Sequence, residues 1–283
     1  MKINFTKMHG LGNDFVLIDC RNRELPDLPL VSKNLCHRRF GIGADQILLL
    51  YPSDIADFKM RIFNADGGEV EMCGNGIRCL AKYIWDKGLS EKAILNIETL
   101  AGIIRPERKG EMVRVDMGEP VLDGREIPVN LDGRVIDHPL RIEDKTFRIT
   151  CISMGNPHAV IFIDNVAEFP VIYYGPLLEK HELFPKKTNV EFIEIINPSE
   201  IKMRVWERGS GETMACGTGA SAAVVASNLK GLTAKNVTVH LMGGDLFIEW
   251  EEDNHIYMTG PAVEVFTGEI NLSEGTHGGK KTG

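Results

Sequence analysis

Residues 59–76 read KMRIFNADGGEVEMCGNG, and residues 202–219 read KMRVWERGSGETMACGTG. Eight of these eighteen aligned positions are identical at a constant offset of 143. Without any change of offset, Gly12 and Asn13 fall on Gly155 and Asn156, Ile18 falls on Ile161, and the amide Gln46 falls on the amide Asn189. One glycine-rich loop can resemble another by chance, but three separated segments in a single gapless register point to a duplicated domain. Further on the register slips by one residue, so that 97–102 matches 239–244, a change that loops tolerate. Matching loops of two such domains are expected to face each other across a cleft, a favoured place for a small-molecule site.

Composition agrees with two medium-sized domains. The chain has 283 residues, of which 43% are hydrophobic and 25% charged, the balance of an ordinary folded protein. Its apolar runs, such as 47–51, fall far short of a membrane span, and the N-terminal residues lack a signal-peptide core, so a cytoplasmic location is expected. A net charge of −8 with no long Lys/Arg block argues against nucleic acid or an anionic membrane as partner, and favours a small molecule. Six cysteines are too few for a disulfide-stapled scaffold. None belongs to a C-x-x-C pair and no His cluster lies beside them, so no metal site is expected.

Strand patterns dominate, at 15–19, 46–50, 59–63, 94–97, 112–117, 159–163, 190–195, 202–206, 236–240, 246–250 and 256–259. Helical patterns fall at 29–39, at 76–85 after Cys73, around 176–181, and at 219–228 after Cys216. The last is small and apolar nearly all round, as suits a helix enclosed by sheet. Residues 273–283 (SEGTHGGKKTG) contain no apolar residue and read as a frayed tail.

Each Cys-Gly-x-Gly motif therefore puts a cysteine at a helix N-terminus. Unpaired N–H groups and the helix dipole there bind carboxylates and are expected to lower a thiol's pKa. Gly74, Gly76, Gly217 and Gly219 carry no side chains that would keep a carboxylate off the backbone amides. Moving a proton from one face of a carbon to the other needs an acid and a base that exchange roles on reversal. Cys73 and Cys216 supply such a pair, which predicts a two-base racemase or epimerase. Just upstream the repeats diverge, Asn64-Ala65 facing Glu207-Arg208. Asymmetry there suits recognition of a second, non-reacting centre, with Glu207 and Arg208 matching an ammonium and a carboxylate.

The sequence resembles the diaminopimelate epimerase family over nearly its whole length. The motifs that carry the resemblance are 7–15 (KMHGLGNDF), 63–67 (FNADG), 72–79 (MCGNGIRC), 155–158 (GNPH), 206–209 (WERG), 215–219 (ACGTG) and 260–263 (GPAV). The resemblance implies an α/β fold, mixed and mostly antiparallel, of two homologous barrel-like domains, each wrapping a central helix and related by a pseudo-twofold. The last strand near 263–270 would return to the first domain, which gives a first domain of 1–118 plus 263–283 and a second of 119–262. It also implies cofactor-independent conversion of LL-diaminopimelate to the meso form, in lysine and peptidoglycan precursor biosynthesis. By matching motif, Cys73 and Cys216 are the two bases, and Gly74, Asn75, Gly217 and Thr218 cradle the reacting carboxylate. Asn13, Gln46, Asn64, Asn156, Asn189, Glu207 and Arg208 make the remaining substrate contacts, the last two at the distal centre. His158 and Glu207 tune the thiols. Cys20, Cys36, Cys79 and Cys151 are packing residues. The family forms homodimers in which a tyrosine near the C-terminal strand matters, and this chain has Phe266 there.

Other readings stand beside this one. Proline racemase and hydroxyproline epimerase share the architecture but usually carry His where this chain has Asn75. A cysteine hydrolase activated by His158 would leave the second matching cysteine without a role. A non-catalytic binder of anionic amino acids would use the two helix N-termini without chemistry.

Overall fold

The computed structural model describes residues 1–272, so the predicted tail at 273–283 lies outside the described residues. Two compact units are present: Met1–His9, Asp14–Ile104 and the described residues from Val263 to Leu272 form one, and Gly10–Asn13 with Arg105–Ala262 form the other.

The first unit contains β1 (Lys2–Gly10), β2 (Asn13–Asp19), α1 (Leu28–Cys36), β3 (Gln46–Tyr51), β4 (Phe58–Asn64), β5 (Glu69–Val70), α2 (Gly74–Asp86), β6 (Ile97–Thr99) and β7 (Gly102–Ile104). The second contains β8 (Glu107–Lys109), β9 (Met112–Asp116), β10 (His138–Ile142), β11 (Lys145–Ser153), β12 (Pro157–Phe162), α3 (Val171–Glu179), β13 (Asn189–Asn197), β14 (Glu200–Glu207), β15 (Gly211–Thr213), α4 (Gly217–Leu229), β16 (Asn236–Leu241), β17 (Gly244–Trp250) and β18 (Ile256–Pro261). The final strand β19 (Val263–Asn271) pairs antiparallel with β1 in the first unit.

The first sheet runs β19-β1-β2-β3-β4-β6-β7, with β5 on β4, and the second runs β10-β11-β12-β13-β14-β16-β17-β18-β9-β8, with β15 on β14. Among the described residues neither order closes into a ring. Pairing is mixed and mostly antiparallel, with parallel pairs at β2–β3, β4–β6, β12–β13 and β14–β16. The long segment of the second unit starts at Arg105, and in it β9 hydrogen-bonds to β18, with Val113 and Val115 buried. A strand follows the partner that covers its apolar face, wherever the repeat boundary falls.

The offset of 143 relates the bounds of β1 and β11, of α1 and α3, and of α2 and α4, residue for residue. The two long helices explain why. In α4 every residue from Gly219 to Ser227 is buried, and the helix packs on β11, β12, β13, β16, β17 and β18. Only small side chains allow contact on all sides. In α2 the buried face is Ile77, Leu80, Ala81, Ile84 and Trp85, packed on β3, β4 and β19. Both shorter helices lie over their sheets, α1 on β3 and β4, α3 on β13 and β14. No helix among the described residues is long and apolar enough to cross a membrane.

Candidate active site

Both motif cysteines are the N-cap residues of their helices. Cys73 has extended backbone, φ −142° and ψ 117°, and its Sγ accepts the N–H of Gly76 at 3.4 Å. Cys216, at φ −129° and ψ 113°, repeats that geometry at the start of α4. The N-cap residue leaves the strand conformation last, so its side chain points at the unpaired amides of the first turn.

In the first unit Gly74 and Asn75 follow Cys73 at the start of α2, and Gln46 and Asn64 lie on β3 and β4. Gln46 and Asn64 are register partners on β3 and β4, and Gln46 Nε2 donates to Asn64 Oδ1 at 2.7 Å. The oxygen of the same amide, Gln46 Oε1, is buried without a hydrogen-bond partner, an unsatisfied acceptor. Asn75 is buried, and Arg78, one turn further along α2, is completely so. The guanidinium donates to Asn75 Oδ1 at 3.0 Å and to the Gly74 carbonyl at 3.2 Å, which ties down the first turn of α2. Burial pulls the Arg78 pKa down, and negative charge on Cys79 or Cys73 acts the other way.

Around Cys216 the second unit builds a more polar arrangement. Asn156, His158, Asn189, Glu207, Arg208, Gly217 and Thr218 all lie in this unit, and so does Asn13, because the Gly10–Asn13 turn clusters with it. Gly12 in that turn has φ +87° and lies against the Met214 side chain, two residues before Cys216. His158 Nδ1 pairs with Glu191 Oε1 at 2.7 Å, both side chains wholly buried, and His158 Nε2 is 2.9 Å from Asn156 Oδ1. Asn189 donates to the Pro157 carbonyl at 2.9 Å and accepts the Arg208 N–H at 2.9 Å, holding the Glu207-Arg208 turn to β12. Glu207 Oε1 accepts the Thr213 hydroxyl, and Thr218 Oγ1 is 3.5 Å from Cys216 Sγ.

Electrostatics separate this thiol from the sequence expectation. Burial first, then the charges of Glu207 and Glu191, push the Cys216 thiol well above its ordinary value, against the Thr218 hydroxyl and the Gly219 amide. The helix N-terminus favours a thiolate, but loss of hydration costs more in this enclosed position. Burial likewise raises the Glu207 carboxyl above the usual carboxylate range, opposed by hydrogen bonds from Thr213 and Cys216. Cys216 is thus held as a thiol in a pocket of carboxyls.

Glu191 is the residue that motif reading missed. It sits mid-strand in β13, in a run that reads as apolar core, with no glycine or second cysteine beside it to mark it. A Cβ built on Gly219 would lie 2.8 Å from Glu191 Oε1 and 3.3 Å from Cys216 Sγ, so this carboxylate lies directly beneath the first turn of α4. The repeat itself held a signal, because Glu191 aligns with Leu48 and His158 with Phe15. A Cβ on Gly76 would meet those two apolar side chains instead, at 3.1 Å and 3.6 Å. Among the described residues no group of three or more His, Cys, Asp or Glu side chains is placed to hold a metal ion.

Paired N-cap cysteines in a duplicated α/β fold can be compared with known proteins. The profile of the family described as diaminopimelate epimerase matches residues 5–122 and 150–265. The chain belongs to the diaminopimelate epimerase family. It is accordingly an isomerase. A protein of Methanococcus maripaludis named diaminopimelate epimerase is 55% identical over 277 residues, covering 95% of this chain and all of that one. One of the same name from Moorella thermoacetica is 56% identical, with 95% and 100% covered. Among solved structures, a Bacillus anthracis phenazine biosynthesis protein of the PhzF family superposes with a TM-score of 0.71 at 17% identity, over 96% of this chain and 100% of that one. That likeness extends the two-unit fold to distant sequences.

Proposed function

We propose that the protein converts LL-2,6-diaminopimelate to meso-2,6-diaminopimelate by proton transfer through Cys73 and Cys216, without an added cofactor. One thiolate takes the α-proton, so that the Cα–H bond breaks and an S–H bond forms while the electron pair stays on the substrate. The other thiol gives its proton to the opposite face and becomes the thiolate. In the reverse direction the two cysteines exchange roles. Negative charge that develops on the reacting carboxylate is met by the first-turn amides of α2 and α4, at Gly74-Asn75 and Gly217-Thr218. Asn13, Gln46, Asn64, Asn156 and Asn189 orient the amino acid, and Glu207 with Arg208 receives the distal ammonium and carboxylate. His158 and Glu207 set the proton affinity of Cys216.

The observation that carries this reading is the matching N-cap placement of two cysteines, one in each half of a duplicated chain. A hydrolase needs one nucleophile, whereas only chemistry on both faces of a carbon calls for two equivalent groups. The product belongs to lysine and peptidoglycan precursor biosynthesis, and a cytoplasmic location follows from that role. The reading extends to a homodimer, supported by the apolar Val263, Val265 and Phe266 exposed on the edge strand β19. Phe266 packs edge-on against Phe5, with ring centroids 5.9 Å apart, so the ring has a packing role without a hydroxyl.

The deciding experiment is incubation with LL-diaminopimelate in deuterated water, following α-carbon deuteration and diastereomer ratio together. Deuterium entering as the meso form appears, with both signals absent in Cys73→Ala and Cys216→Ala, is the expected result. Saturable binding with no deuteration would replace the epimerase with a non-catalytic binder. Sedimentation at micromolar concentration tests the dimer.

A further inference from the structure

Glu179 is the last residue of α3, is 3% exposed, and has no part in the chemistry above. Its carboxylate is nevertheless fully engaged. Oε2 accepts the indole N–H of Trp206 at 2.8 Å, and Oε1 accepts the backbone N–H of Gly209 at 3.2 Å. The Lys187 ammonium lies 3.8 Å from Oε1, and the Glu179 carbonyl accepts the N–H of Thr188 at 3.3 Å. Trp206 and Gly209 flank Glu207 and Arg208, so one buried carboxylate clasps the turn on both sides. Arg208 is held from elsewhere by Asn189 Oδ1 on its amide and by the Lys186 carbonyl, 3.1 Å from its Nη1. The close approach of α3 depends on Gly175, where a Cβ would lie 2.5 Å from Trp206 Cγ.

The first half shows what mere packing requires. At the counterpart positions α1 carries Ser32 for Gly175 and Cys36 for Glu179. Ser32 donates to the carbonyls of Phe63 and Asn64 at 3.2 Å and 2.7 Å, a neutral tether to the matching turn. A buried carboxylate carries a large desolvation cost, so it is poor economy where a thiol packs as well. It stands only in the half where Asn64-Ala65 is replaced by Glu207-Arg208.

We infer that Glu179 is a positioning residue that fixes the Glu207-Arg208 turn in the orientation that receives the distal ammonium and carboxylate, and so sets selectivity for a substrate with two amino-acid centres. The inference rests on the proposed function of that turn. In Glu179→Gln the amide oxygen accepts one N–H and the NH2 group opposes the other, so the clasp loses one side while volume is kept.

The test is a mutant cycle with LL-diaminopimelate as substrate, using Glu179→Gln, Arg208→Met and the double variant, with thermal melting of each. Glu179→Gln is expected to raise KM about tenfold with kcat within about threefold, and to add less than about twofold in the Arg208→Met background, since residues of one network couple. Trp206→Phe, which keeps the ring and removes the donor, is expected to move KM the same way and carries the cycle if Glu179→Gln does not fold. An unchanged KM, a loss confined to kcat, or equal effects in both backgrounds overturns the role of Glu179. If Arg208→Met itself leaves KM unchanged, the distal reading of the turn fails and the inference goes with it. A raised KM in Arg208→Met with a silent Glu179→Gln removes only Glu179.

Discussion

His158 and Glu191 form a wholly buried pair, 2.7 Å apart, at the two positions that Phe15 and Leu48 occupy in the first half of the chain. The same strands and the same helix start thus carry a hydrogen-bonded His–Glu pair under one cysteine and hydrocarbon under the other. Glu191 adds negative charge beside Cys216 and raises its thiol pKa. Glu191→Gln is therefore expected to lower that pKa. Thiolate absorbance against pH, taken as the difference from a Cys216→Ala control, measures it, and a titration that does not move would remove Glu191 from the account.

Cys73 is the one cysteine of the six that is not buried. Brief treatment of the native protein with a maleimide is expected to label Cys73 first, and diaminopimelate to slow that labelling. Peptide mass mapping decides it. Equal labelling of Cys73 and Cys216 would contradict the exposure difference.

Stability is expected to fall on the alkaline side. Burial pushes Cys79 and Cys151 from the ordinary 9.0 up to about 12, and Cys20 and Cys36 to about 11. These are acids with raised folded-state values, so the folded protein holds more protons than the unfolded chain above about pH 9. Their stabilisation is complete below that pH and is lost as pH rises toward 12. Urea midpoints between pH 8 and 11 test this, and Cys151→Ala is expected to flatten the decline. Asp14 works in the opposite sense: against burial, Arg38 and Lys7 hold its carboxyl down to about 2. Its contribution is present above the unfolded value near 4 and lost as pH falls through 2.

How much of this was legible in sequence depends on what each element contributes. The motif strands β3, β4, β13 and β14 announce themselves by β-branched and aromatic alternation, and the two long helices by Cys-Gly-x-Gly followed by small or apolar runs. Seven strands, β1, β5, β7, β8, β10, β11 and β15, gave no such sign. β1, β10 and β11 mix charged and apolar residues; β1 depends on β19, far away in sequence, whereas β10 and β11 pair with their neighbours in the β10–β11–β12 run. β6 begins at Ile97, where β4 gives it a partner, although the apolar run starts at 94. The helix expected around 176–181 begins earlier, at Val171, because Pro176 is tolerated inside the helix α3. At the site, the cysteines, glycines and amides were readable as repeats, whereas Glu191 and Glu179 were not. A buried carboxylate is recognised only by what surrounds it.

Arg78 supports its helix start from within. Arg78→Ala removes a large, fully buried side chain and the donors to Gly74 and Asn75, with an expected cost of about 2–5 kcal/mol. Chemical denaturation measures the loss, and kcat is expected to fall with it as the amide cradle loosens. A stable variant with normal turnover would show that α2 holds its first turn unaided.

The pairing of β19 with β1 bears on how the chain is made. The second unit is nearly continuous in sequence, whereas the first sheet needs Val263–Asn271 laid beside Lys2–Gly10. During synthesis the first unit must wait, its β1 edge bare, until Val263–Asn271 has left the ribosome, while Arg105–Ala262 can already condense. Contacts of such long sequence separation form late. Protease protection of stalled nascent chains is expected to appear over 105–262 before it appears over the N-terminal hundred residues, so that the half of the molecule made first is the half finished last.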